Sequence, residues 1–295
     1  MAKVALIGAG YWGSKIANSL STNKNIEEVS IIDVRNGETI DSIPEGYNTA
    51  IIATPLWDHY ETTSALLKRG FDCYVEKPMA ETADQCLELE KLSGDQVLMV
   101  GHIFLYHPAM DYIKENLSRI GTVRHITSER LNWGIYQKKT TPLHSLLPHD
   151  ISILFELLGT DAKLENAMGN DFNNATQPDY VNFNLKFNSG VTANVVGSWY
   201  WPERVRKLTI IGTEGMIIWD DSANFVKIFN GTVVDGRLTE LTITEEHIPD
   251  LSVTPLEREL NHFIDCVVNR TTPKSDVKNA ITVAKLIDEV STYLR

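Results

Sequence analysis

The sequence predicts an α/β fold over residues 1–120, followed by an α+β domain with an open, mostly antiparallel sheet over 121–295. Three observations predict it. Up to about residue 120, short β-branched runs alternate with helix-length amphipathic segments, the grammar of a parallel sheet joined by crossover helices. Beyond Gly121 that alternation gives way to a run of strand patterns separated by glycine-containing turns. The chain has 295 residues, of which 43% are hydrophobic and 22% charged, enough to core two domains without covalent staples.

Taken in order, strands are expected at 4–7, 29–34, 49–53, 73–75 and 97–100. Helices are expected to start at Trp12, near Asp58 with Ala65, Leu66 and Leu67 on the inward side, near Thr82 with Cys86, Leu87 and Leu89, and after Pro108. Thr at a cap and Pro in a first turn fit those starts. The stretch 34–48 holds Gly37, Pro44 and Gly46 and is too irregular for a full helix. In the second domain, Val181, Phe183, Leu185 and Phe187 alternate with Asn182, Asn184, Lys186 and Asn188. Asn188-Ser189-Gly190 then turns the chain into 191–196, which makes a hairpin with one apolar face. Further strands are expected at 207–212, 215–219 and 226–229, one helix at 150–158, and two closing helices at 256–268 and 277–293 that pack back toward the cleft. The polar face of the open sheet is expected to pair subunits into a homo-oligomer, a dimer or tetramer.

Charge and cysteine usage narrow the function classes. Lys plus Arg number 27 against 39 Asp plus Glu, a net charge of -12 that repels a phosphate backbone and argues against nucleic acid. The three cysteines, Cys73, Cys86 and Cys266, are widely spaced and form no zinc pattern, so the expectation is a reduced, cytoplasmic protein without a metal. No apolar run approaches a membrane span, and the first residues enter a strand-and-glycine pattern instead of a signal sequence.

Gly8-Ala9-Gly10-Tyr11-Trp12-Gly13 is a GxGxxG run that follows a strand and opens a helix, and Asp33 ends the next strand 20 residues beyond Gly13. In this pattern the first glycine permits the turn, the second lets backbone N–H groups reach a pyrophosphate, and the third packs helix on strand. The first domain is therefore read as a Rossmann-type dinucleotide-binding domain, the alternative being a glycine turn in a cofactor-free α/β protein. Asp33 would accept from the adenosine ribose hydroxyls and favour NAD over NADP, although Arg35 is a cation able to offset a 2′-phosphate. Thr54 and Pro55, after the third strand, would wall the dinucleotide; His59 on the following helical turn and Glu76 after the fourth strand are counted with Tyr11 and Trp12 among the cofactor-binding residues, His59 capping or packing there and not reacting. Glu76-Lys77-Pro78 follows the fourth strand. A lysine there can bond a substrate hydroxyl and ease alkoxide character, whereas the plain alternative is a surface ion pair with Glu76.

Strand-GAGYWG-helix, Ala53-Thr54-Pro55 followed by His59, Glu76-Lys77-Pro78, the segment from Val100-Gly101-His102 to His107-Pro108-Ala109, and a later helix begun by a histidine together resemble the glucose-fructose oxidoreductase, inositol dehydrogenase and rhizopine-catabolism (Gfo/Idh/MocA) family. Arg130-Leu131-Asn132 leading to Pro148-His149-Asp150-Ile151-Ser152, and Ser198-Trp199 leading to Pro202-Glu203-Arg204-Val205-Arg206, resemble a branch that includes dehydrogenases acting at C3 of UDP-N-acetylglucosamine-like substrates. The resemblance implies that Lys77 and His149 are catalytic, with Lys77 at the reacting hydroxyl and His149 as acid or base. A histidine suits that task on its own chemistry, a helix-cap or core role being the alternative. Asp150 is more simply a helix cap. Many family members carry an Asp where this chain has Ser145. His102 and Tyr106 are possible sugar or cofactor contacts, with packing as the alternative; Trp133, Trp199, Tyr200 and Trp201 can stack on a ring or form a core; Arg204 and Arg206 can meet a diphosphate or face solvent. The function implied is an NAD-dependent oxidation of a sugar secondary alcohol, C3 of a UDP-N-acetylhexosamine first. A free-sugar or cyclitol dehydrogenase and an NAD(H) sensor without turnover stand as the alternatives.

Overall fold

The computed structural model describes all residues except 135, 137, 138, 174–176, 232 and 295. β1 (Ala2–Ile7), α1 (Tyr11–Leu20), β2 (Ile26–Ile32), β3 (Thr49–Ile52), α2 (Leu56–Lys68), β4 (Asp72–Val75), α3 (Ala83–Ser93) and β5 (Leu98–Val100) follow one another as the alternation predicts. The five strands are all parallel, in the order β2-β1-β3-β4-β5. Only two three-residue 3-10 turns, Val34–Asn36 and Ile40–Ser42, occupy the irregular stretch before β3.

α4 (Pro108–Asn116), β6 (Val123–Trp133), α5 (Pro142–Ser145), α6 (Pro148–Leu158), β7 (Ala162–Asn170), β8 (Tyr180–Phe187), β9 (Thr192–Ser198), β10 (Tyr200–Gly212), β11 (Gly215–Asp220) and β12 (Phe225–Asn230) come next. A short ribbon, β13 (Val233–Val234) and β14 (Arg237–Leu238), precedes β15 (Thr242–His247), α7 (Pro255–Asn269) and α8 (Val277–Tyr293). The second sheet has eight strands in the order β15-β12-β11-β10-β6-β9-β8-β7. Its neighbours are antiparallel except β6 and β9, which run parallel.

Contacts divide the chain into Met1–Tyr106 with Val253–Lys285, and His107–Ser252 with Leu286–Arg295. This differs from a single break at residue 120. Residues 107–120 count with the second unit, and α7 with the first part of α8 counts with the first. The reason is packing: α7 carries Leu256, Leu260, Phe263 and Ile264 on one stripe, and these are buried against Val4, Leu6 and Ile16 of β1 and α1.

In the first unit, successive residues of β1 face opposite ways and serve two cores. Ala5 and Ile7 pack with Leu66, Leu67, Leu89 and Ala280 on one side of the sheet. Val4 and Leu6 pack with Ile16, Leu20 and Phe263 on the other. In the second unit, Val181, Phe183, Leu185, Ala193 and Val195 are buried on the inner face together with Ile151 and Leu154 of α6. On the same strands the outward asparagines form an amide ladder. Asn194 Nδ2 donates to Asn182 Oδ1 at 3.0 Å and to Asn184 Oδ1 at 2.9 Å, and Asn184 Nδ2 donates to Asn166 Oδ1 at 2.8 Å.

The strands beyond the sequence reading are those whose inward positions are polar or few. β6 buries Ser128 and Arg130 beside Ile126 and Leu131, so it lacks a clean apolar period. β7 and β15 are edge strands, and Leu164 is the one fully buried residue of β7. β10 begins at Tyr200, seven residues before the expected start at Lys207, because its first buried position is Leu208.

One core residue of the first unit gives the fold a pH dependence. His102 is 1% exposed, and its Nδ1 lies 2.5 Å from Asn279 Oδ1, so Nδ1–H is the donor. Burial lowers its pKa to about 4, with the Asn279 bond opposing and the Lys77 charge assisting. An unfolded histidine titrates near ~6.5. As pH falls, the unfolded chain therefore takes up this proton first, so stability is full above about pH 6.5 and is lost toward pH 4. The loss assigned to this residue is on the order of 3 kcal/mol. Urea midpoints measured across that window should decline in the wild type, and more shallowly in His102→Gln.

Candidate active site

Three strand exits of the first unit are locked side by side. Gly8 N donates to Ile32 O at 2.8 Å, Ala53 N to Ile7 O at 2.9 Å, and Glu76 N to Ile52 O at 2.9 Å. The carboxyl ends of β1, β3 and β4 thus present Gly8–Gly13, Thr54–Pro55 and Glu76–Lys77 along one edge of the sheet, where open α/β folds receive their ligands.

The glycine turn has the geometry a dinucleotide requires. Gly8 sits at φ 93°, and a Cβ there would lie 2.9 Å from the Ala53 carbonyl oxygen. A Cβ on Gly13 would lie 2.1 Å from the Gly8 oxygen, so only glycine lets α1 rest on the turn. A Cβ on Gly10 would meet nothing within 4 Å, so the space beside this residue is open. α1 starts at Tyr11 with no side-chain cap, which leaves its first N–H groups to an anion. Tyr11 is exposed and Trp12 half-buried beside it, with Lys15 Nζ 4.5 Å and 5.3 Å above their rings. Thr54 Oγ1 is buried without a hydrogen-bond partner among the described residues, and Pro55 is exposed next to it. Open backbone, free helix N–H groups and an orphaned hydroxyl all fit a bound dinucleotide.

Asp33 is more heavily engaged than expected. Oδ1 accepts from Arg35 N and Nε, both at 2.9 Å, while Oδ2 accepts from Arg35 Nη2 at 2.6 Å and from Ala9 N at 2.8 Å. Arg35 Nη2 also donates to Ala9 O at 2.8 Å. The guanidinium side-chain bond, then the backbone bonds from Arg35 and Ala9, hold this carboxyl well below the usual carboxylate range. Arg35 itself is 66% exposed, so it can leave the carboxylate when another group arrives.

Glu76 is buried and accepts from the indole Nε1–H of Trp12 and, at 3.3 Å, from the backbone N–H of Lys77. Lys77 is half-buried and joined to Pro78 by a cis peptide bond. His59 is buried, with Nδ1 2.8 Å from Pro78 O and Nε2 2.8 Å from Thr54 O. Burial lowers its pKa against the pull of those two carbonyls, and a neutral ring, with one N–H, donates to one of them. His59 is therefore a brace between backbone segments.

Two expected sugar or cofactor contacts lie in the core instead. His102 donates to Asn279, and Tyr106 is 9% exposed with its hydroxyl 2.9 Å from Ser275 Oγ. Their residue types suit a polar pocket, but each finds its partner on the closing segment of its own unit, and packing is the role the structure gives them.

In the second unit α6 brings up His149, half-buried in its first turn. Asp150 is no cap: it is 2% exposed and accepts from Ser128 Oγ at 2.7 Å and from Arg130 Nε at 2.6 Å. That buried ion pair fastens α6 to β6 and fixes the helix end bearing His149. Ser145 ends α5, next to His144, whose Nδ1 lies 3.0 Å from Thr141 Oγ1. Arg206 stands opposite Arg130 in the β10–β6 register, with Nη1 3.8 Å from Asp221 Oδ2. Burial first, then the charges of Arg130 and Arg204, push its pKa down to about 10. Arg204 is exposed. Of the aromatic residues, Trp133 is 69% exposed and lies 4.9 Å from the Tyr200 ring, which stacks on Phe172 at 5.5 Å, whereas Trp199 is buried.

Sequence reasoning missed the roles of Arg130 and Glu259. Each puts a charge in the inward series of its element. Arg130 falls in the inward series with Ile126 and Ser128, and Glu259 falls on the α7 stripe with Leu256, Leu260 and Phe263.

Known proteins agree with this architecture. Residues 2–102 match the oxidoreductase family with an NAD-binding Rossmann fold, and residues 115–218 match the GFO/IDH/MocA C-terminal domain. The chain is 23% identical over 282 residues to a 2,7-anhydro-N-acetylneuraminate hydratase of Mediterraneibacter gnavus, covering 83% of this chain and 73% of that protein. It is 22% identical over 248 residues to a UDP-N-acetylglucosamine 3-dehydrogenase of Acidithiobacillus ferrooxidans, covering 78% and 75% respectively. A solved structure of the UDP-N-acetylglucosamine 3-dehydrogenase from that organism superposes with a TM-score of 0.84 at 19% identity, over 99% of this chain and 97% of that one. A 3-ketoreductase from Actinomadura kijaniata, in complex with NADP and TDP-benzene, superposes with a TM-score of 0.82 at 17% identity, over 100% and 98%. Such structural likeness shows the fold, and the two family matches take it further, one on the unit with the glycine turn and one on the unit that carries His149. The chain belongs to the Gfo/Idh/MocA family of NAD(P)-dependent oxidoreductases.

Proposed function

We propose that this oxidoreductase interconverts a secondary alcohol and a ketone on a sugar, with C3 of a UDP-N-acetylhexosamine as the leading substrate and NAD preferred over NADP. The observation that carries the reading is Lys77, held by the Glu76–Pro78 turn on the same sheet edge as the glycine turn. Bound nicotinamide supplies the acceptor or donor of a hydride. Lys77 donates a hydrogen bond to the substrate hydroxyl oxygen and stabilises its developing negative charge. His149 takes the hydroxyl proton in oxidation and returns it in reduction, which suits an imidazole near neutral pH. The Asp33 carboxylate supports the NAD preference, and the exposed Arg35 beside it leaves room for some use of NADP.

The nucleotide part of the proposal rests on Arg206 and Arg204. A half-buried guanidinium whose pKa is lowered by burial and by like charges gains from an arriving anion, and a diphosphate offers paired oxygens to its fork. Exposed Trp133 and Tyr200 offer ring faces to a base or sugar.

NADH absorbance, followed after mixing enzyme and NAD with UDP-N-acetylglucosamine, free N-acetylglucosamine or inositol, tests the substrate. Reduction with the nucleotide sugar alone is expected; equal rates with the free sugars would exclude the nucleotide-sugar assignment. Lys77→Ala should lower kcat/KM by about a thousandfold while NADH affinity stays within roughly threefold. Unchanged turnover in this variant would remove the catalytic role. Arg206→Ala should raise KM for the nucleotide sugar about tenfold with little change in kcat. A fall in kcat alone would take Arg206 out of substrate binding.

A further inference from the structure

A buried acid that the proposed reaction does not use lies behind Glu76. Tyr74 Oη is 3.1 Å from Glu76 Oε1 and 2.9 Å from Glu259 Oε2 of α7. Tyr74 and Glu259 have no exposed surface, and Glu76 is 8% exposed. Leu256, Leu260, Phe263 and Met99 pack around them, with the Phe263 ring 5.8 Å from that of Tyr74. A phenol carries one hydrogen and can donate to one of the two carboxyl groups. Were both carboxyls ionised, the other contact would set two acceptors against each other in an apolar core, which such a core does not tolerate. One further proton must therefore reside in the group.

The donors decide where. Glu76 receives the Trp12 indole N–H and the Lys77 backbone N–H, and the Lys77 cation favours its ionised form. Glu259 has the Tyr74 hydroxyl on Oε2, and its Oε1 is without a hydrogen bond among the described residues. We infer that Glu259 is a neutral carboxylic acid in the native protein, donating to Tyr74, which in turn donates to Glu76, and that it is thereby a positioning residue for the Glu76–Lys77 turn. Burial raises the pKa of both carboxyls, Glu259 well above the usual range, while the Lys77 charge and the indole and phenol bonds hold Glu76 back. The chain also keeps space for the relay: a Cβ on Gly101 would come within 2.5 Å of Tyr74 Oη and 3.2 Å of Glu76 Oε1. The result is a single anion behind Lys77, held by three donors in fixed directions. This inference rests on the reading that the Glu76–Lys77 turn serves the cofactor and substrate.

Infrared spectroscopy of the whole protein in D2O at neutral pH detects a buried carboxylic acid by its carbonyl stretch above the amide band. That band is expected in the wild type and in Glu76→Gln, and should vanish in Glu259→Gln. Its absence from the wild type, or its loss in Glu76→Gln with retention in Glu259→Gln, would overturn the inference. Fluorescence titration with NADH tests the positioning role. Glu259→Gln, whose amide N–H still donates to Tyr74, should bind within about twofold of wild type, and Glu259→Leu about tenfold more weakly. Wild-type affinity in Glu259→Leu would remove the positioning role. If no sugar is turned over while the band and the affinity order are as stated, the dehydrogenase reading fails and the neutral Glu259 stands.

Discussion

The first unit depends on one close approach, the seating of α1 on the turn that leaves β1. Gly8 runs so near the Ala53 carbonyl that a Cβ would lie 2.9 Å from its oxygen, and Gly13 lies over Gly8 at a distance that admits no Cβ. From this contact follow the direction of α1, the exposure of its uncapped N–H groups, and the alignment of the β1 exit with those of β3 and β4. His59 lies between the carbonyls of Thr54 and Pro78, each 2.8 Å from one of its ring nitrogens. The lysine turn and the β3 exit are therefore packed on one buried side chain. Precision of that kind matters in a hydride-transfer enzyme, where small displacements of the reacting groups are expensive in rate.

The second unit solves a similar problem with charge. α6 has no side-chain cap, and its first turn is fixed by Asp150 bonding Ser128 and Arg130 on β6. A buried ion pair contributes little net stability compared with apolar packing, but losing one partner leaves an uncompensated charge that costs several kcal/mol, roughly 3–5. Its directional bonds locate the helix end in a way that apolar contacts of similar area would not. On α5, where Ser145 is the last residue, the Asp288 charge raises the pKa of His144 against the larger effect of burial.

Much of the fold was legible because its signals are local. The glycine turn, the β-branched runs of the parallel sheet and the Val181–Phe187 alternation each declare themselves within a few residues. The strands that were not legible, β6 above all, bury polar side chains whose partners lie far along the chain: Arg130 and Asp150 are 20 residues apart, and neither looks inward until the other is in place. The same holds within the site. Lys77 and the glycine turn could be read from position, whereas the burial of His102 and Tyr106 could not, because their partners Asn279 and Ser275 come from a segment more than 160 residues away. A sequence shows residue type and spacing, and the fate of a polar side chain is decided by which distant donor or acceptor the fold delivers to it.

That principle also accounts for an acidic protein with acids inside it. Among the described residues six carboxyl groups are buried, Asp33, Asp72, Glu76, Asp150, Asp179 and Glu259. Their compensation differs with place. Asp33 has Arg35 and Ala9 N; Asp72 has Arg270 and Val97 N; Asp150 has Arg130; Asp179 has the backbone N–H groups of Phe172 and Asn173 with the Asn173 amide. Glu76 has an indole, a phenol and a neighbouring lysine. Glu259, reached by the phenol alone, is the one left without an N–H donor or a cation, and a proton of its own meets the same requirement. The N-terminus of α1 and exposed Arg204 are among the positive groups not consumed in this way, and they offer an anionic ligand a favourable place on a chain whose net charge is -12.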